Sequence, residues 1–282
     1  MRRKTRILCS IFGFYLTLAL LIPQLTVAFY GHYANRSALR TEFASQAAAE
    51  QVLEHVLADG TGIANGCGIP NTVFADVFSA GQLQQDMADA LSAALDGQAY
   101  APDLTQSMEL LTQNINQALS QLEDVADPAE LAEEINVFCE QIQNIYQRYI
   151  NLSVYSKFDP LLQTVKKWLN LALLVAGVTG LLCVMLLGRL ARQKGTFLRE
   201  LAFSLIATGG LNALLCGGIL GSGVLGRLQV SPAYFRDALG NYLHDGLRLS
   251  VYVAAATIVL GLLLFLLAAI RIRRSTKYQN RV

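Results

Sequence analysis

Four long apolar segments constrain the fold of this chain more than any other feature. They cover residues 7–29, 169–188, 201–225 and 250–270, and no Asp, Glu, Lys, Arg or His interrupts them. About 20 apolar residues in a helix are enough to cross a hydrocarbon core of about 30 Å. Lipid offers the backbone no hydrogen-bond partner, so segments of this length should be helical. We therefore expect an integral membrane protein with four transmembrane helices.

A polar, acidic block lies between the first and second apolar segments, at residues 30–167. It contains all but three of the chain's 21 carboxylates, the exceptions being Glu200, Asp237 and Asp245. The bases cluster elsewhere, at the N-terminus, in the loop at 189–199 and in the tail after the fourth segment. Short cytoplasmic loops retain Lys and Arg. Both termini should therefore be cytoplasmic and the block extracytoplasmic, on a multi-pass protein of the cell membrane.

These features predict an all-α fold: four transmembrane helices plus a helical extracytoplasmic bundle between the first and second spans. Residues 1–29 hold the N-terminal cytoplasmic end and the first span, and residues 30–167 form the extracytoplasmic domain. Residues 168–282 form a three-helix transmembrane region with a short external amphipathic loop at 228–249 and a basic cytoplasmic tail. The amphipathic pattern of that loop favours a helix lying on the membrane surface. Docking onto the external domain is the alternative.

The first apolar segment has features of both a membrane anchor and a signal peptide. Pro23 and the run Thr26-Val27-Ala28, after a basic N-terminus, are typical of a cleavage region. The segment is nevertheless longer than the roughly 7 to 15 apolar residues of a signal peptide. We favour an uncleaved anchor, and cleavage would leave the remaining spans in the same orientation.

The first part of the polar block predicts one helix followed by a loop. The helix begins at Asn35, and its apolar face is formed by Leu39, Phe43, Ala47, Leu53 and Leu57. Glycines are frequent from residue 59 to residue 70, and Pro70 ends that stretch. This composition is typical of a loop, so the helix should end at Asp59.

Later helix boundaries in the block are marked by capping residues. Ser79 with Gln82 fits a capping box at the start of a helix, and Gly97 fits its end. Asp103 and Asp127 are good N-caps for the two helices that follow. Amphipathic helices with short connections should pack antiparallel as a small bundle.

Two of the five cysteines, Cys67 and Cys139, lie in the polar block. Cys139 sits beside the predicted apolar stripe of its helix, where it could face the loop that holds Cys67. Thiols outside the cytoplasm can oxidise, so a disulfide between Cys67 and Cys139 is one hypothesis. Two buried free thiols are the other.

Small residues recur at every fourth position in two of the apolar segments. The third segment carries Gly209, Ala213, Gly217 and Gly221, and the second carries Ala172, Ala176 and Gly180. Such patterns let helices approach closely in lipid. We favour internal packing of the four spans, with a second copy or another membrane subunit as the alternative. Asn212, an amide inside the third segment, is expected to join helices by hydrogen bonding.

The start of the second span carries residues typical of the membrane interface. Trp168 follows Lys166 and Lys167, and both indole and ammonium groups favour the headgroup region. Asp159-Pro160 should open a helix that runs through these residues into the second span. Trp168 therefore marks a predicted boundary of the bilayer.

No motif for catalysis, a cofactor or a metal is found in the sequence. His32, His55 and His244 lack partners at metal-ligand spacing, and the acidic run from Glu123 to Glu134 fits a solvated turn better than a calcium loop. The spans contain no ionisable residue of the kind that ion-coupled transporters use. We expect a protein that is not an enzyme, with no cofactor and no nucleic-acid partner.

Two resemblances add to this interpretation. Residues 68–79, with the sequence GIPNTVFADVFS, together with Gln82 and Asp86 are similar to a stretch in the external domains of uncharacterised Gram-positive bacterial membrane proteins. The order of one span, a large external domain and three further spans resembles the permease subunits related to FtsX and to macrolide exporters. The second resemblance implies a cytoplasmic ATP-binding subunit as partner.

The sequence thus predicts a non-enzymatic sensor, scaffold or accessory subunit that acts through its extracytoplasmic domain. Its expected partners are membrane lipid and a protein, or a second copy bound through the small-residue faces. The alternative is a permease-type subunit of a transporter coupled to a separate cytoplasmic ATPase.

Overall fold

The computed structural model describes residues 3–120, 128–151, 155–191, 194–227 and 229–279. The α-helices in these ranges are α1 Arg3–Ala28, α2 Arg36–Phe43, α3 Gln46–Gly66, α4 Ala80–Leu95, α5 Thr105–Leu119, α6 Pro128–Ile150, α7 Tyr155–Leu190, α8 Lys194–Gly221 and α9 Ala233–Gln279. A π-helical turn, Phe29–Tyr33, follows α1, and 3-10 turns occupy Asn71–Phe74 and Leu225–Arg227. The described residues contain no strand, which confirms the all-α prediction for this part of the chain.

Four helical stretches are long and apolar enough to cross a membrane, as predicted. They are Ile7–Tyr33, Lys157–Leu190, Thr196–Arg227 and Ala233–Ile272. Only 17% to 28% of the most apolar window of each stretch is buried inside the protein. Most of the apolar side chains therefore face outward, which suits a lipid environment.

The chain divides into two compact units. The transmembrane unit comprises Met1–Asn35, Leu162–Leu228 and Gly240–Val282. The bundle unit comprises Arg36–Leu161 and Gln229–Leu239. The polar block thus forms most of one unit, and a short piece from the region predicted as an external loop joins it.

The predicted external loop and the fourth apolar segment form one continuous helix, α9, which is about 70 Å long at 1.5 Å per residue. At its start, the Phe235 ring lies 5.3 Å from the Phe43 ring, and the Tyr234 hydroxyl donates to the Tyr149 carbonyl at 3.2 Å. Residues 233–239 therefore contact the bundle, which is the alternative that the sequence analysis left open. A position on the membrane surface stays a prediction.

The first helix of the polar block is broken near Ser45, which the sequence analysis did not predict. The Ser45 hydroxyl accepts a hydrogen bond from the Ala48 amide at 3.2 Å and caps the start of α3. The interruption rotates the apolar face of α3 relative to that of α2. The buried face of α3 consequently contains Val52 and Val56 in place of the predicted Leu53 and Leu57.

Helix α3 continues through Gly60, where a loop was predicted, and ends at Gly66. A Cβ atom at Gly60 would lie 3.0 Å from the Phe74 ring. The glycine therefore serves close packing against the Asn71–Phe74 turn, and the predicted end of the helix at Asp59 is wrong.

The boundaries of α4 follow the predicted caps, while α5 begins one residue later than its predicted cap implies, with Leu104 at the N-cap position. The Ser79 hydroxyl accepts from the Gln82 amide at 3.1 Å at the start of α4, and Gly97 has a φ of 69° after its end. Asp103 accepts from the Thr105 amide at 3.1 Å as α5 begins. Asp127, the predicted cap of α6, lies outside the described residues. Helix α7 begins at Tyr155, earlier than predicted from Asp159.

A buried carboxylate organises the core of the bundle unit. Asp86, on α4, accepts hydrogen bonds from the Tyr100 hydroxyl at 2.7 Å and from the Tyr146 hydroxyl at 2.6 Å. Tyr146 is fully buried, and its ring stacks on Phe78 with a centroid distance of 5.1 Å. Burial, and then the hydrogen bond to Asp86, raise the pKa of both tyrosines above the usual value.

We expect Tyr146→Phe to lower the free energy of unfolding by about 1 to 3 kcal/mol at pH 7, because Asp86 loses one buried donor. A tyrosine with a raised pKa in the folded state stabilises the fold below its unfolded pKa of about 10, and this contribution is lost as pH rises further. The stability of the variant should therefore fall less between pH 10 and pH 12. Chemical denaturation followed by circular dichroism tests both points. A wild type and a variant that lose equal stability between pH 10 and pH 12 would contradict the second one.

In the transmembrane unit, a glycine on α8 packs against α9, and a glycine on α9 packs against α8. A Cβ atom at Gly209 would lie 2.6 Å from Ile258 Cγ1 and 2.7 Å from the Ala254 carbonyl oxygen. A Cβ atom at Gly261 would lie 2.7 Å from Ile206 Cγ1. Close approach at a small residue is typical of helix pairs in lipid.

The other predicted small residues have different surroundings. On α8, Gly221 is exposed and Ala213 is half-buried, and no atom would meet a Cβ at Gly217 within 4 Å. On α7, a Cβ at Gly180 would lie 3.7 Å from Ala19 of α1. Ala172 and Ala176 line a cleft with α1 residues. The small face of the second span is thus directed at the first span.

Asn212 joins three helices, as expected for an amide inside a span. Its side-chain amide donates to Gln24 Oε1 on α1 at 3.0 Å and to the Ser250 carbonyl on α9 at 3.3 Å. Thr208, one turn earlier on α8, donates to the Thr17 carbonyl of α1 at 3.0 Å. These bonds stabilise the contact of α8 with α1 and α9.

We expect Gly209→Ala or Gly261→Ala to lower the thermal stability of the full-length protein in detergent, by about 1 to 3 kcal/mol for an overpacked contact. Gly217→Ala makes the same change where the space is open, and it should have little effect. Equal melting temperatures for all three variants would contradict the reciprocal α8–α9 contact.

Candidate partner-binding site

Two grooves flank α6 in the bundle unit. The apolar groove has a volume of about 640 Å³ and is lined by Cys67, Ile69, Ile115, Leu119, Glu133, Glu134, Ile135, Val137, Phe138 and Gln141. The polar groove has a volume of about 600 Å³ and is lined by Pro102, Asp103, Leu104, Thr105, Met108, Glu109, Thr112, Gln113, Asn136, Cys139 and Gln143. Both are large enough to receive side chains of a partner.

One wall of the apolar groove is set by the end of α3. Gly68 has a φ of 73°, and its amide donates to the Asn65 carbonyl at 3.3 Å. The Ile69 amide donates to the Ala64 carbonyl at 2.8 Å. This is a Schellman motif, and it turns the chain sharply so that Ile69 lies at the groove.

The floor of the apolar groove is formed by buried side chains of α5 and α6. Ile115, Ile135 and Phe138 are all buried, and the Phe138 ring lies 6.2 Å from the Phe74 ring. The Asn114 side chain donates to the Val73 carbonyl at 2.9 Å. Local helix periodicity places the apolar side chains of α6 on this side, and packing against the Asn71–Phe74 turn fixes their position.

The rim of the apolar groove combines acidic and apolar groups. Glu133 and Glu134 are exposed, and in the described part of the chain neither forms an ion pair. Val137 is 49% exposed, although it lies only one turn away from these carboxylates. A partner with apolar side chains next to basic ones would suit this combination of an apolar floor and an acidic rim.

The sequence analysis interpreted this acidic region as a solvated turn and did not find the groove. Glu123, Asp124 and Asp127 of the acidic run lie outside the described residues. Val137 is an apolar residue outside the buried stripe of α6, and its position in the sequence could have indicated an exposed apolar surface. Residues 68–79, which carry one of the resemblances, contribute Ile69 to the wall, while Asp86 lies in the core.

Cys67 and Cys139 are both free thiols in the structure. Cys67 is exposed at the apolar groove, while Cys139 is half-buried at the polar groove, 3.6 Å from the Thr112 hydroxyl. Burial raises the pKa of the Cys139 thiol. Successive residues of a helix point about 100° apart, so Cys139 is directed away from the groove that its neighbour Phe138 lines. The structure gives the disulfide hypothesis no support, and the pairing stays a prediction.

Each of the three histidines contacts neighbouring aromatic, carbonyl or carboxylate groups. His32 Nε2 lies 2.8 Å from the Tyr242 carbonyl oxygen, and the His55 ring stacks on Tyr149 at 5.9 Å. His244 Nδ1 lies 3.5 Å from the carboxylate of its neighbour Asp245. Over the described ranges, no three His, Cys, Asp or Glu side chains come together in a way that could hold a metal ion.

Comparison of the chain with protein-family models, curated proteins and solved structures finds no match.

We expect Cys67 to react readily with a maleimide reagent in the native protein and Cys139 to react much more slowly, because only the first thiol is exposed. Mass spectrometry of the labelled peptides measures both rates. A Cys67–Cys139 disulfide would instead prevent labelling of both residues until a reductant is added. It would also make gel mobility depend on reduction in the wild type but not in Cys67→Ser.

Proposed function

We propose that this chain is a non-enzymatic sensor, scaffold or accessory subunit of the cell membrane that acts by binding a protein partner through its bundle unit. The four apolar helices anchor it. The basic loops support cytoplasmic termini and an extracytoplasmic bundle unit. An even number of spans is consistent with both termini on one side.

The observation that carries this proposal is the apolar groove. It places buried Ile115, Ile135 and Phe138 beneath exposed Val137, so an apolar surface is accessible on an otherwise polar helix pair. Exposed apolar surface beside polar residues is typical of protein-binding sites.

The chemistry of the rim defines the class of partner. The carboxylates of Glu133 and Glu134 would attract a segment that carries Lys or Arg, and the floor would accept its apolar side chains. A helix with apolar residues at i, i+3 and i+4 and bases beside them presents both features. We therefore propose a basic amphipathic segment of another envelope or extracellular protein as the occupant.

Site-specific photo-crosslinking in native membranes tests this function. A photoreactive residue at Val137 should form an adduct with one partner, and mass spectrometry should map the crosslink to a segment rich in Lys or Arg. A photoreactive residue at Glu140, which is exposed on α6 but lines neither groove, is the matched control.

Charge reversal distinguishes specific binding from chance capture. Glu133→Lys with Glu134→Lys should reduce the Val137 adduct at least tenfold, because two attractive contacts become repulsive. Equal adducts from Val137 and Glu140, or an adduct that survives charge reversal, would contradict the proposal. Co-purification of an ATP-binding subunit in mild detergent would instead favour the permease-type alternative.

A further inference from the structure

A second apolar cleft lies in the transmembrane unit, between α1 and α7. We call it the α1–α7 cleft; its volume is about 450 Å³. Its small side chains are Ala19, Ala172 and Ala176, and its larger ones include Tyr15, Ile22 and Trp168. Both helices belong to stretches apolar enough to cross a membrane. The cleft therefore opens onto the surface that lipid would cover.

The length of the cleft matches one leaflet of a bilayer. On α7 it extends from Trp168 to Thr179, which is about 16 Å along a helix at 1.5 Å per residue. Half of a hydrocarbon core of about 30 Å is nearly the same length. Near the Trp168 end, the Tyr30 hydroxyl donates to Asn170 Oδ1 at 2.8 Å and joins the π-helical turn after α1 to α7.

The Trp168 end of the cleft carries the chemistry of a headgroup site. Trp168 is 66% exposed, and Lys166 and Lys167 immediately precede it. In the described part of the chain, neither lysine forms an ion pair. Two ammonium groups beside an interfacial indole would lie at the level of lipid phosphates.

We propose that the α1–α7 cleft binds one anionic phospholipid. An acyl chain lies along Ala172 and Ala176, and the headgroup phosphate pairs with Lys166 and Lys167. The apolar lining accepts the chain, and the charge of the lysines selects an anionic over a zwitterionic headgroup.

A transmembrane helix of a second copy fits the cleft less well. A transmembrane helix crosses both leaflets, whereas the cleft extends along only one of them.

Trp168 is the only tryptophan of the chain, so its fluorescence reports on the proposed site. The full-length protein is placed in vesicles that contain either phosphatidylglycerol or phosphatidylcholine with the same brominated acyl chains, which quench tryptophan on contact. We expect stronger quenching by brominated phosphatidylglycerol at equal lipid content. The preference should weaken as salt is raised.

Three variants distinguish binding in the α1–α7 cleft from general contact of the protein with the surrounding lipid. Lys166→Gln with Lys167→Gln should abolish the preference for phosphatidylglycerol, at about fivefold in relative affinity for each lysine. Ala172→Leu, which fills the cleft, should abolish it too. Gly177→Leu adds the same side chain where a Cβ would meet no atom within 4 Å, and it should keep the preference.

Several results would overturn the proposal. They are equal quenching by the two lipids in the wild type, a preference that survives the lysine variant, and a preference unchanged by Ala172→Leu. Quenching by both lipids that falls as the protein-to-lipid ratio rises would assign the cleft to a second copy. Circular dichroism of each variant establishes that it is folded, and the lysine variant keeps the test decisive because it leaves the apolar packing unchanged.

Discussion

Hydrocarbon offers no hydrogen-bond partner to a peptide group, and this constraint determines how the transmembrane unit is built. The backbone meets it by forming helices. Some polar side chains inside the unit meet it by bonding to neighbouring helices, as Asn212 does with Gln24 and Ser250. Others bond within their own helix, as Thr26 does with the Ile22 carbonyl. Among the described residues, no buried side-chain nitrogen or oxygen lacks a partner. The groups that bond across helices therefore also specify which helices are neighbours.

Buried polar groups in the core of the bundle unit also need hydrogen-bond partners. A buried carboxylate is costly unless donors surround it, and Asp86 receives two tyrosine hydroxyls. The ring of Tyr146 also stacks on Phe78, so the same side chain binds Asp86 and packs in the apolar core. This arrangement joins α4, α6 and the segment between α4 and α5.

In the described part of the chain, each unit has an open apolar surface, and the charged groups beside the two surfaces have opposite sign. The apolar groove of the bundle unit has Glu133 and Glu134 on its rim, which suits a basic protein segment. The α1–α7 cleft has Lys166 and Lys167 near one end, which suits an anionic headgroup. In both places apolar contact would provide affinity and charge would provide selectivity.

The sequence by itself determined the features that depend on a few neighbouring residues. Four charge-free segments gave the four candidate spans, and Ser79, Gly97 and Asp103 marked helix boundaries because caps and left-handed turns are local chemistry. Tertiary structure alone decided the rest. Gly60 continues a helix because the Phe74 ring packs against it, and Gly261 matters because Ala202 and Ile206 approach it. The break at Ser45 moved the buried face of α3, and the apolar groove requires Ile69, Ile115 and Phe138 from three separate segments. A sequence specifies which residues can pack closely, but the partner that each one meets depends on contacts between distant parts of the chain.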